Sequence, residues 1–353
     1  MTAMDETKLN AFVGRMLGDL GGAFSVPMVR IGDRLGLYRT LQDSGPTTAH
    51  ELARKAGIAE RYAREWLSHQ AASGYLDYDA VGGTFTLSPE QAMVFAQTDS
   101  PVYLQGAFDL AAVMLENEAL VETAFRTGKG VGWGEQSPCL FCTVGRFFRP
   151  SYHTALVQSW LPALDGMTAK LERGATVADV GCGHGFSTII MAKAFPRSTF
   201  VGYDFHAGSI EQARAHAEQH GVTANTRFEV ASASDFPGQD LDLVTFFDCL
   251  HDMGDPIGAA LHVRRTLKPD GRWMIVEPQA GDRLEDNLNP VSRLFFAAST
   301  MICVPTSLDQ PVGAAFGAQA GLARLASAIT EGGFAHVRKA TETPFNMILE
   351  ARP

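Results

Sequence analysis

The sequence has no run of about 18 apolar residues, so it offers no transmembrane candidate. Its opening, Met1 to Asn10, is polar, which speaks against a secretory signal with an apolar centre. Basic residues are in the minority. The formal net charge is −10, a poor balance for gripping nucleic acid or an anionic membrane through the overall field. Cysteine is scarce, with five in 353 residues at Cys139, Cys142, Cys182, Cys249 and Cys303. An odd, scattered set is no disulfide framework. Cys139 and Cys142 form one Cys-x-x-Cys, but without a second pair a zinc site lacks half its ligands, and no metal is expected. These absences predict a cytoplasmic chain with free thiols and no membrane attachment. Apolar residues are plentiful at 46%, enough for packed cores in one domain or, at this length, two.

The stretch Val177-Ala-Asp-Val-Gly-Cys-Gly-His-Gly-Phe186 is the most informative. Val177 to Val180 reads as a buried strand. Gly181, Gly183 and Gly185 read as a tight turn, and Ser187 to Ala194 as the helix after it, which together open a nucleotide-binding α/β unit. The third glycine comes one residue early for the Gly-x-Gly-x-x-Gly dinucleotide fingerprint, which opposes NAD. From Gly174 on, strand and helix patterns alternate. Strands are expected at Val177–Val180, Thr199–Tyr203, Thr226–Val230, Leu241–Phe247, Arg272–Val276, Ala335–Lys339 and Phe345–Glu350. Helices are expected at Ser187–Ala194, Gly208–His220, Ile257–Leu267 and Leu322–Glu331. The order predicts an open parallel sheet with an antiparallel addition.

Ligands of such sheets sit outside the carboxyl ends of the strands. Asp204 ends the second strand, nineteen residues past Gly185, where a carboxylate can accept from both ribose hydroxyls; Phe205 follows it. Ser232 and Ala233 follow the third strand and Asp248 the fourth. His251 is read as a general base, since imidazole titrates near neutral pH, or as a structural histidine at a helix start. Asp252 is either its orienting group or a surface charge. Glu277, ending the fifth strand, either assists the base or is a hydrogen-bonded structural carboxylate.

The run Asp-x-Gly-x-Gly-x-Gly from Asp179 to Gly185 resembles motif I of class I S-adenosylmethionine-dependent methyltransferases. Leu250-His251-Asp252 resembles the Leu-His-Asp-Trp segment of small-molecule O-methyltransferases, with Met253 in place of the tryptophan. Leu267-Lys-Pro-Asp-Gly271 and the strand to Pro278 resemble the family's post-motif segment. The resemblance implies an α/β fold, a Rossmann-like seven-stranded methyltransferase sheet whose last strand is antiparallel. It implies S-adenosyl-L-methionine as cofactor, with Asp179, Gly181, Gly183, Gly185, Asp204, Phe205, Ser232, Ala233 and Asp248 around it and His251 as base. The family usually has an acid at the position of Ser232. Arg149 and Tyr152 precede the nucleotide domain; an arginine there can pair with the cofactor's carboxylate. Asn289 to Pro305 falls where the family inserts substrate-covering helices.

Toward the N-terminus, Leu9 to Leu37 is apolar and helix-like, with breaks expected near Gly21-Gly22 and Pro27. Thr48 and Glu51 form a capping box. A second helix, Glu60 to Ser73, carries Tyr62, Trp66, Leu67 and Gln70 in its repeat. Tyr75–Tyr78 and Thr84–Leu87 read as a hairpin around Gly82-Gly83. Helix, turn, helix and hairpin make a mostly helical winged-helix domain. From Arg30 to Glu90 there are seven Arg or Lys against eight Asp or Glu. A groove-reading helix needs excess positive charge, so nucleic acid is not the expected partner. The region resembles the winged-helix dimerisation domain of O-methyltransferases, which implies a homodimer. The expected organisation is a dimerisation domain over 1–127, a linker and pocket-capping helix over 128–173, and a cofactor-binding domain over 174–353. The expected activity is methyl transfer to a small, partly apolar acceptor, with a hydroxyl favoured. The competing reading is a winged-helix transcriptional regulator with the nucleotide domain as ligand sensor.

Overall fold

The computed structural model describes residues 4–353. The chain divides into two compact units, Met1–Ala112 and Val113–Pro353. The boundary read from the sequence lay later, at 127.

The first unit opens with α1 (Glu6–Arg34), capped by the Asp5 carboxylate on the N–H groups of Thr7 and Lys8. It runs unbroken through Gly21, Gly22 and Pro27, where breaks were expected. Packing supplies the reason: Val29 and Ser25 are buried, and the Met28 carbonyl accepts from Trp66 Nε1 at 2.9 Å. Tertiary contacts override the local cost of proline. The first half of α1 is different. Phe12, Leu17, Leu20 and Phe24 are exposed within this unit.

After α2 (Leu37–Ser44) comes α3 (Ala49–Ala56), opened by the Thr48–Glu51 capping box. The next helix, α4 (Glu60–Ala72), buries Ala63, Trp66, Leu67 and Gln70. Tyr62 is 78% exposed, so the apolar stripe begins at Ala63, one position later than read. The wing is β1 (Asp77–Asp79) paired with β2 (Thr84–Thr86). Next follow α5 (Pro89–Phe95), α6 (Gln105–Glu116) and α7 (Glu118–Thr127).

The second unit continues with α8 (Cys139–Ala155), a wide turn over Leu156–Trp160, and α9 (Met167–Arg173). The core then alternates: β3 (Thr176–Val180), α10 (Phe186–Ala194), β4 (Thr199–Asp204), α11 (Ala207–Gln219), β5 (Thr226–Val230), β6 (Leu241–Phe247), α12 (Pro256–Thr266) and β7 (Leu267–Pro278). Next come α13 (Pro290–Ala298), a π-helical turn at Ser299–Cys303, α14 (Val304–Asp309), α15 (Gly321–Glu331), β8 (His336–Glu342) and β9 (Asn346–Arg352). The seven strands take the order β5-β4-β3-β6-β7-β9-β8. The first five are parallel, while β9 pairs antiparallel with both β7 and β8.

Strand side chains alternate between the sheet's two faces. Val177, Leu243, Phe247, Met274 and Val276 join one buried cluster with Ile189 of α10 and Ile210 of α11. Ala178, Val180, Val244, Phe246, Trp273 and Ile275 join the other with Val263 of α12 and Leu325 of α15. The sheet is therefore apolar on both faces, as parallel sheets are. Asp179 and Thr245 interrupt it as a buried polar pair, side by side on β3 and β6.

One stretch corrects the sequence reading. Among the described residues, Pro290–Asp309 is long and apolar enough to cross a membrane, by length and composition alone. Its residues Phe295, Ile302 and Cys303 are buried within the second unit, where a core helix passes the same test.

Candidate active site

A cavity opens at the carboxyl ends of β3, β4 and β6, within the second unit. Its wall includes Gly181, Cys182 and Gly183 of the glycine turn, Asp204 and Phe205 after β4, and Ser232 and Ala233 after β5. Asp248 after β6, Asp252, Met253 and Tyr152 complete the part read from sequence. Among the described lining residues there is no lysine or arginine.

The turn is built from inside. Asp179 lies buried beneath it and accepts from Ser187 Oγ at 2.7 Å, Thr188 Oγ1 at 2.5 Å and Thr245 Oγ1 at 3.0 Å. It fastens the first turn of α10 to the sheet. Burial pushes its carboxyl up to about 6, against the pull of the three hydroxyls. Asp179 and Gly185 were both expected around the cofactor, and neither lines the cavity. Gly185, at φ +77°, packs toward β5, where a Cβ would stand 2.7 Å from the Phe228 ring. Gly183 does face the cavity: its φ is +50° and an added Cβ would enter open space.

Asp204 accepts from the Gly183 N–H at 2.9 Å and the His206 N–H at 2.8 Å. The carboxylate thus ties the end of β4 to the glycine turn and keeps lone pairs for a ligand. Burial raises its pKa, opposed by the two N–H bonds. Ser232 Oγ donates to Asp235 at 2.6 Å, so its hydroxyl proton is engaged within its own loop.

Asp248 has a φ of +51°, an uncommon conformation that aspartate tolerates better than most residues. It accepts from Tyr152 Oη at 2.9 Å and from Asn346 Nδ2 at 2.7 Å. Burial, then the nearby Glu277 charge, push it up to about 8. Asp252 is pushed to about 7, chiefly by burial, with His251 pulling the other way.

His251 and Glu277 form a buried pair, Nδ1 to Oε2 at 2.6 Å, and the Leu250 N–H donates to the other carboxylate oxygen at 3.0 Å. Burial alone would lower the imidazole's pKa. Glu277, followed by Cys303, outweighs it and holds His251 well above its usual value. His251 Nε2 lies 3.3 Å from Cys303 Sγ. Neither His251 nor Glu277 lines the cavity, whereas Asp252 does.

Arg149 does not line the cavity either; its guanidinium stands 5.5 Å over the ring of Phe186, which does. Several residues escaped sequence reasoning. Trp133, Phe141, Val144 and Phe148 cover the cavity from α8 and the segment before it, with Phe141 stacked on His206 at 4.4 Å. Thr306 and Gln310 close another side. The first group falls within the 128–173 stretch expected to cap the pocket, though none of its side chains was singled out.

Comparisons with known proteins agree with this layout. A methyltransferase-domain model matches residues 171–310, and an Rv2258c-like winged helix-turn-helix model matches residues 23–97. Residues 171–310 are a methyltransferase domain. The ubiquinone biosynthesis O-methyltransferase of Roseobacter denitrificans is 33% identical to it over 99 residues, 28% of this chain and 39% of that protein. The chain therefore spans well under half the length of that relative. The structure of the mitomycin 7-O-methyltransferase MmcR superposes with a TM-score of 0.68 at 20% identity, covering 98% of this chain and 100% of its own. Human N-acetylserotonin methyltransferase gives 0.69 at 16% identity, covering 100% and 99%. At these identities the likeness establishes the fold alone.

Proposed function

We propose that the protein is a cytoplasmic S-adenosylmethionine-dependent methyltransferase that acts on a hydroxyl of a small, partly apolar acceptor. The observation that carries this reading is Asp204, bonded to the glycine turn and presenting its remaining lone pairs to the cavity. That is the arrangement a ribose diol requires. Gly183 leaves room where a side chain would stand, and Ser232 and Ala233 lie where an adenine edge would come. The cavity's aspartates suit a cationic ligand.

S-adenosylmethionine, when bound, supplies an activated methyl group for in-line displacement. The chain's part is to bind, align and dry the site. Asp204 would hold the ribose, and Phe141 and Phe148 would exclude water from above. Asp248, braced by Tyr152 and Asn346, and Asp252 would face the cationic end. His251, oriented by Glu277 through Nδ1, would take the acceptor's proton at Nε2. Arg149 is the candidate partner for the cofactor's carboxylate, reached from above Phe186.

Calorimetry tests the cofactor. S-adenosylhomocysteine should bind and NAD should not. A charged hydrogen-bond partner contributes about 1.5–3 kcal/mol, so Asp204→Asn should weaken S-adenosylhomocysteine between about tenfold and a hundredfold. Tight NAD binding with no heat from S-adenosylhomocysteine would reject the reading.

We infer further that two copies join through α1, whose exposed Phe12, Leu17, Leu20 and Phe24 form an apolar face too large to leave in water. The regulator alternative is not favoured. On α4, Arg61 pairs with Glu65 and Arg64 with Glu60, which neutralises the helix that would meet phosphates.

A further inference from the structure

His251 has one imidazole nitrogen left once Nδ1 is committed to Glu277, and that nitrogen meets a thiol rather than open space. Cys303 Sγ lies 3.3 Å from Nε2. Both residues are buried, at 4% and 8% exposure. The thiol comes from the π-helical turn Ser299–Cys303, whose wider backbone displaces side chains from α-helical positions. The contact is held in register by α14 and the residue after it. Ser307 Oγ donates to the Met253 carbonyl at 2.8 Å. Gln310 donates to the Asp252 carbonyl at 3.0 Å and accepts from the Gly254 N–H at 3.0 Å. The Gly317 N–H donates to the His251 carbonyl at 3.0 Å. Asp252 and Met253, next to His251, line the cavity, as does Thr306, one turn beyond Cys303.

We propose that Cys303 holds, on His251, the hydrogen-bond position that the acceptor's hydroxyl takes during turnover. A buried imidazole nitrogen with no partner is costly. A thiol is a weak hydrogen-bonding group, so it covers that nitrogen yet yields to a stronger hydroxyl. Cys303 is thus a positioning residue, which keeps the ring of His251 aimed and paired until an acceptor displaces it. The acceptor's part of this inference rests on the methyl-transfer reading above; the contact itself does not. Once the ring is neutral, the same geometry activates the thiol: attack on an alkyl iodide forms the S–C bond, expels iodide with its electron pair and leaves the thiol proton on His251 Nε2.

Two measurements on the full chain test this. The first uses chain labelled with ¹³C at histidine Cε1, the His251 signal being identified by its loss in His251→Gln. Cys303→Ala should shift that signal and Cys303→Ser should restore it toward its original position. A signal that ignores both substitutions overturns the contact. The second uses iodoacetamide and peptide mapping on the unaltered protein. Cys182 is an in-chain control, buried to 7% exposure and lining the cavity. At alkaline pH, where the His251 ring is neutral, general-base help should make Cys303 react at least about tenfold faster than Cys182; equal or slower labelling there overturns the proposal. Calorimetry with S-adenosylhomocysteine on the same preparation separates the two readings. Heat of binding without the His251 shift rejects Cys303 alone. The shift without any heat rejects its role as the acceptor's stand-in.

Discussion

As the proposed base, His251 begins with a proton. The neighbouring Glu277 favours the imidazolium against the effect of burial, and only the neutral ring can take a proton from an acceptor. Turnover should therefore rise with pH through a range above about 6.5, the usual imidazole value. Removing the main raising charge in Glu277→Gln should move the rise to lower pH, read in kcat/KM against pH on a verified acceptor. A rise at the ordinary value, unmoved in Glu277→Gln, would refute the pairing. The stability sign is fixed by the same shift. Because the folded value lies above the unfolded one, the pair's contribution is complete below about pH 6.5 and is lost as pH climbs through the raised value. At this scale the sequence was half legible. His251, Glu277 and Asp204 could be picked out because they stand at or just past strand ends. Cys303 and Asn346 did not, because no local pattern says that a thiol 52 residues away meets the imidazole, or that an amide 98 residues away meets Asp248. Sheet register and helix packing bring them in.

At the scale of elements, the glycine turn divides its labour. Gly183 serves the cavity and Gly185 serves the packing of α10 on β5. Gly185→Ala must adopt a left-handed backbone and push on Phe228 and Ala213. Strain and overpacking together should cost about 2–4 kcal/mol, seen as a lower midpoint in chemical denaturation. An unchanged midpoint would mean that the turn relaxes freely. The motif's spacing revealed the turn but not which glycine does what, since that depends on what faces each Cα. Pro27 teaches the complementary lesson. Local preference marked it as a break, yet α1 passes through it because Val29 and Met28 are held against Trp66 and its neighbours.

For the whole molecule, alternation of strand and helix patterns from Gly174 onward made the sheet readable, and every expected strand lies in it. The helical N-terminal unit was harder to read, because its apolar surface is shared between its own core and the exposed half of α1. If a second copy covers that half, Leu17→Glu with Phe24→Glu should give a monomer in sedimentation while S-adenosylhomocysteine binding per chain stays intact. A dimer that survives both substitutions would place the interface elsewhere.

Among the described residues, the cavity wall holds no lysine or arginine beside Asp204, Asp248 and Asp252, which bears on how a cycle ends. Methyl transfer turns a sulfonium into an uncharged thioether, so the reaction erases the charge that anionic walls attract. On the proposed reading, the site would then grip its reactant harder than its spent product and clear itself. With Asp252 near 7 and Asp248 near 8, that bias should widen from pH 6 to 9, as the walls gain charge. The ratio of the Kd for S-adenosylhomocysteine to that for S-adenosylmethionine, measured across this range, should climb; a flat ratio would mean that the walls do not sense the charge at all.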